Sequence, residues 1–206
     1  MGTIPYDPQA DAGLISSSGA IESRAFVAHY KETAVALGVI TDVHAAVTDT
    51  GVLQTITTGI TDPSPCRNLT ATSGGTAGDI KAIQITVTGT NLADDVITET
   101  LPVFTVNSAT TVVGSKAFKT VTSISIPAHD GTGATTSIGS GAKLGIAHKL
   151  GVNSLLDGQV YFNGSVEGTE PTVAGSATLT ESNTVTLNTA LDGSDVEFFY
   201  IVPADA

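Results

Sequence analysis

The chain has no tryptophan, one cysteine, one methionine, and only eight lysines and arginines in 206 residues. A single cysteine, Cys66, excludes an internal disulfide. The shortage of rings, 5% of residues, leaves few aromatics to stack on sugars. The last basic residue is Lys149, and everything beyond it carries acids and no base. With a net charge of −12 the chain is expected to repel nucleic acid and anionic membranes. No stretch approaches the ~20 apolar residues that cross a bilayer as a helix. The opening MGTIPYDPQADAG has acids and prolines where a secretory signal has bases and an apolar run, so a soluble protein that is not exported is expected.

What is abundant is threonine, the commonest residue, beside 22 glycines. Threonine and valine are β-branched and suit a pleated surface, whereas the strong helix formers Glu, Lys, Arg, Gln and Met are scarce. Short runs with period-two alternation recur, broken by Gly, Asp, Asn and Pro at intervals of roughly 8–12 residues, the spacing of a sandwich or barrel. Candidate strands are 52–58, 67–72, 80–88, 95–100, 103–106, 118–126, 143–146, 159–163, 176–180, 183–187 and 195–202. In 80–88, Ile83, Ile85 and Val87 share a face with Lys81 and form the better core side. Gly89-Thr90-Asn91 and Asn107-Ser108 have the residues of tight turns. The stretch 21–39 fits either a weak helical stripe or a strand, with the strand preferred. Phe198-Phe199-Tyr200-Ile201-Val202 is the most apolar run, so its strand must be central or covered.

No constellation of catalytic residues stands out. His29, His44, His129 and His148 lack metal-ligand spacing. His129-Asp130 invites a triad, but no GxSxG elbow or activated cysteine supplies a nucleophile, and a turn is the simpler reading. Ser73 to Asp79 is glycine-rich without the lysine of a phosphate loop, and a strand rather than a helix follows, so a hairpin loop is expected. Asp94-Asp95 and Asp192 with Asp195 read as solvated turn acids. The triplets Asn68-Leu69-Thr70 and Asn163-Gly164-Ser165 match glycosylation acceptors at a frequency this composition produces by chance. Arg67, one of two arginines, suggests a structural ion pair. No enzyme activity, cofactor or metal is expected.

Residues 55 to 150 contain TITTGITDPSPCRNLTAT, GGTAGDIKAIQITVTGTN, ITETLPVFTVN, GSKAFKTVTSISIPAHDGTGATTSIG and GAKLGI. These phrases resemble a family of small β-rich virion structural proteins of tailed bacteriophages and their prophages. Within it the chain is most similar to head decoration, or cement, proteins. The resemblance implies a partner, the major capsid protein, at capsomer junctions, a homo-oligomer, most often a trimer, and a place on the capsid surface after synthesis in the host bacterial cytoplasm. It brings no catalytic residues. The alternative within the same setting is a head-fibre or tail component with a carbohydrate-binding adhesion role.

The expected fold is all-β, an antiparallel β-sandwich or jelly roll with an extended N-terminal arm. The chain divides into the arm, 1–20, a β-sandwich domain, 21–150, and a C-terminal β segment, 151–206, packed into the same sandwich or beside it. The arm has too few apolar residues to order on its own domain. It is expected to dock on a neighbouring subunit or the shell through Ile4, Tyr6, Leu14 and Ile15.

Overall fold

The computed structural model describes residues 25–150, 155 and 159–203. The arm and its four contact residues lie outside these. The described residues form fourteen strands in an all-β, antiparallel sandwich, as expected. A sheet of β4 (Arg67–Gly75), β7 (Thr111–Phe118), β9 (Ala134–Gly145), β12 (Thr172–Ala174) and β13 (Thr184–Thr186) runs in the order β12-β13-β9-β4-β7, and β2 (His44–Thr48) also pairs with β9. A second sheet joins β3 (Gln54–Ile56), β8 (Thr120–Ile126), β5 (Thr86–Thr90) and β6 (Val96–Thr100) in that order. The third joins β1 (Ala25–Val35), β14 (Ser194–Pro203), β10 (Tyr161–Phe162) and β11 (Ser165–Val166).

The first sheet is shared between two apolar cores. In the central unit, Val87, Ile97, Val121, Ile124 and Ile126 of the second sheet pack on Leu69, Ala71, Phe118 and Ile138 of the first, with Phe104 among them. In the terminal unit, Ala28, Val196, Phe198, Tyr200 and Val202 pack with Leu144, Ile146, Leu150, Val160 and Val185. β9 serves both, with Ile138 in one core and Leu144 in the other. The cores therefore do not follow chain order: β1 leaves the segment that follows it and pairs along its length with β14, at the far end of the chain.

Local chemistry explains the departures from strict alternation. The apolar face of 80–88 is the buried one, with Ile83, Ile85 and Val87 inside, but ladder pairing begins only at Thr86. The turn expected over Gly89-Thr90-Asn91 begins at the last of these residues. Gly89 is inside β5, where a Cβ would meet the Thr120 carbonyl oxygen at 1.9 Å, and the reversal is made by Asn91, whose Oδ1 accepts from the N–H groups of Ala93 and Asp95 at 2.9 and 3.0 Å. A register shift opposite Thr88 and Gly89 turns Val121 inward along with Ile124, which a period of two would place on opposite faces. Residues 103–106 form no strand, and 176–180 give way to β12 a few residues earlier. The stretch 21–39 resolves, within the described residues, as strand β1, broken by a bulge at Ala34 with φ 54°.

Candidate interaction surfaces

The polar groups singled out in the sequence are mostly consumed inside the fold. His129 is buried, its Nδ1 accepting from the Lys81 N–H at 3.2 Å and its Nε2 donating to Thr136 Oγ1 at 3.0 Å. Burial holds its pKa below the ordinary value of 6.5 against the pull of Asp49 and Asp130. Its neighbour Asp130 turns outward to Lys81 Nζ, 3.1 Å away, so the pair forms no relay. Cys66 is also buried, and desolvation pushes its thiol up to about 12, far from a nucleophile.

Arg67, expected in an ion pair, instead donates to three carbonyls: Ala36 at 2.9 Å, Ser64 at 2.8 Å and Pro65 at 3.4 Å. It is nearly inaccessible, and desolvation lowers its pKa. The fork ties the chain leaving β1 to the start of β4, so a charge that looks like a surface feature in the sequence is an internal clamp. Asn68 is equally spent. Its Oδ1 accepts from the Lys143 N–H at 2.9 Å, and its Nδ2, the atom that would carry a glycan, is buried and donates to the Gly114 carbonyl at 3.0 Å. The other triplet is a hairpin: Asn163 and Gly164, at φ 52° and 74°, link β10 to β11.

The glycine-rich stretch is no hairpin loop but a crossing between sheets. β4 ends at Gly75, where φ is 82° and a Cβ would lie 2.1 Å from the Gly133 carbonyl oxygen; Asp79 then accepts from the Gly133 N–H at 3.0 Å. Asp94 pairs with Lys119 at 2.6 Å, while Asp192 and Asp195 accept from the N–H groups of Ser194 and Ala34. Among the described residues, no group of three His, Cys, Asp or Glu side chains could hold a metal ion.

Among the same residues, the outward faces of the second and third sheets differ in chemistry. The outward face of the second sheet is hydroxylated, with rows Thr55–Ser125–Thr86–Thr100 and Ser123–Thr88–Thr98 across the strands. Thr86 and Thr100 lie Oγ1 to Oγ1 at 3.1 Å, Thr88 and Thr98 at 3.2 Å, so these hydroxyls satisfy one another. The outward face of the third sheet carries apolar side chains around one charged cluster. Its rows are Val27–Ile201, His29–Phe199 and Lys31–Glu197–Tyr161–Val166. Val27 is 56% exposed and Val166 46%. His29 stacks on Phe199 with ring centres 4.5 Å apart, and its Nε2 lies 2.9 Å from Glu197 Oε1. Lys31 Nζ donates to Glu197 Oε2 at 3.1 Å. These hydrogen bonds, from Lys31 first and then His29, lower the Glu197 pKa.

The most apolar run of the sequence is thus half buried. Val196, Phe198, Tyr200 and Val202 face the core, and Phe199 and Ile201 face outward. β14 is central in its sheet, flanked by β1 and β10. The covered face is the one that packs on Leu144, Ile146 and Val185, and the pairing of β14 with β1 leaves no local signal in the sequence. No protein-family model, curated protein or solved structure matches the chain.

Proposed function

We propose that the protein is a bacteriophage virion structural component, a capsid decoration protein that binds the major capsid protein and works as a homo-oligomer, a trimer, on the shell surface. The reading is carried by where the polar chemistry lies. His129, Arg67 and Asn68 are spent inside the fold, whereas the outward faces of the second and third sheets carry a hydroxyl array and apolar side chains around one charged cluster. That distribution suits a rigid covering element better than a reaction centre. The resemblance of residues 55–150 to virion proteins falls largely on the central unit and supports the same reading.

The test is co-sedimentation with purified shells. Binding is expected, and deletion of residues 2–18, which removes Ile4, Tyr6, Leu14 and Ile15, should weaken it at least tenfold, about 1.4 kcal/mol. Shells that pellet without the full-length protein would refute the decoration role. A second reading is favoured by one observation: Tyr161 and Phe199 are both at least a third exposed on one sheet face, a place where a sugar ring could stack in a fibre or tail adhesin. Selective retention on a glycan array, without shell binding, would establish it instead.

A further inference from the structure

We infer that the outward face of the third sheet, centred on Val27, Phe199 and Ile201, is the surface through which copies of this chain associate. The inference rests on the oligomeric part of the reading above and names its surface. Each of the four strands puts an apolar side chain on this face: Val27 opposite Ile201, Phe199 in the next row opposite His29, and Tyr161 opposite Val166 on the far side of Glu197. Patches of this kind on a folded protein mark contacts rather than ordinary surface.

Charge identifies the occupant. The chain carries −12, so two copies repel wherever their acids face each other. Across the three rows of this face the charged side chains are Lys31 and Glu197, a cation and an anion already bonded together at 3.1 Å. Lys31 neutralises Glu197, and Asp195, the next outward residue of β14, accepts from the Ala34 N–H. The three rows are therefore net-neutral where the chain as a whole is strongly acidic, and two copies approach through them with less repulsion than through the acid-bearing turns. A strongly basic partner would find little to pair with here and would be drawn to the acid-bearing turns elsewhere. A second copy of the chain is the occupant that fits.

The experiment uses the full chain without any shell. Light scattering at ~10 µM, tenfold above a Kd of ~1 µM, should give a mass that is a multiple of 20.7 kDa. Phe199→Glu combined with Ile201→Glu should weaken association at least tenfold and shift the mass toward the monomer. Val27→Glu, on a different strand, should do the same. Val96→Glu, which charges an exposed apolar residue of β6 outside this sheet, should leave the mass unchanged, and an unaltered far-ultraviolet dichroism spectrum shows that each variant is folded. A wild-type mass equal to that of one chain would overturn the inference, as would association that persists in both the double variant and Val27→Glu. If the wild type were monomeric and the double variant lost only shell binding, the face would belong to the shell protein, and the inference would fall while the decoration role stood. Association through this face in a protein that ignores shells would mean the opposite: the surface would stand and the decoration role would fall.

Discussion

The central and terminal units share one sheet but are built differently. The central core is assembled from residues 43–138, so its strands meet neighbours brought near by short connections. The terminal core joins β1 to segments beyond Leu144, a closure over most of the chain that carries a larger loop entropy before any contact forms. Their outer faces differ too. The central unit turns paired threonines to water, and the terminal unit turns Val27, Phe199 and Ile201 outward. A sheet whose hydroxyls satisfy one another is finished as a surface, whereas exposed apolar side chains gain from a partner.

Whether the two units melt as one body is the sharpest way to break this comparison. Phe198 is fully buried and stacks on Tyr30 with ring centres 4.4 Å apart; Phe198→Ala should cost about 3–5 kcal/mol. Because β9 runs through both cores, calorimetry should show one transition shifted down. A new low-temperature transition beside an unmoved one would mean that the terminal unit unfolds alone.

Arg67→Met probes the clamp between the chain after β1 and β4. Three carbonyls lose their donor, and chemical denaturation should show a loss of about 2–3 kcal/mol. An unchanged midpoint would mean that water replaces the guanidinium at little cost.

A smaller effect is expected at Glu181, which is buried where the two units touch, within 3.3 Å of Lys116 Nζ and of Asn91 Nδ2. Burial pushes its carboxyl up, but hydrogen bonds from its own backbone, Asn91 and Lys116 outweigh this and leave the pKa below 4.5. The charged form is thus the stabilising one. Its contribution is present above pH 4.5 and is lost as pH falls through the depressed value. Glu181→Gln should cost about 1–2 kcal/mol at neutral pH and flatten the acid limb of the stability curve; an acid limb identical to wild type would show that the ionised carboxyl adds nothing to folding.

His129 acts in a different window. Its pKa is lowered by burial, so folding favours the neutral ring. That contribution is complete above the unfolded value near 6.5 and declines as pH drops below it toward the folded value. Melting temperature should therefore begin to fall below about pH 6.5, and His129→Asn, which keeps an acceptor for the Lys81 N–H without titrating, should remove that portion of the slope. The least effect belongs to Thr88→Val on the hydroxyl face, within about 0.5 kcal/mol. A larger loss would mean that the threonine pairs stabilise the sheet more than their exposure suggests.

The central unit is largely legible in the sequence. The alternation of Ile83, Ile85 and Val87 is a local property and marks the buried face directly. What is not legible is set by distant partners or single bonds. The inward turn of Val121 follows from a bulge, and the placement of the reversal after Thr90 from the Asn91 side chain. The pairing of β1 with β14 has no local sign. Asn163-Gly164 does carry the signature of a two-residue hairpin, since both residues accept positive φ, but its place in a triplet with Ser165 makes it read only as a chance glycosylation match. Arg67 reads as an ion-pair former by composition, and only the fold brings three carbonyls to it.

The most direct test of the division of labour between the units is hydrogen–deuterium exchange of the full chain at low and high protein concentration. Protection should rise with concentration in residues 25–35 and 194–203 and stay constant in 86–100 and 120–126. Concentration-dependent protection confined to the second pair of segments would show that copies meet on the hydroxyl face, and would contradict the assignment of self-association to the terminal unit.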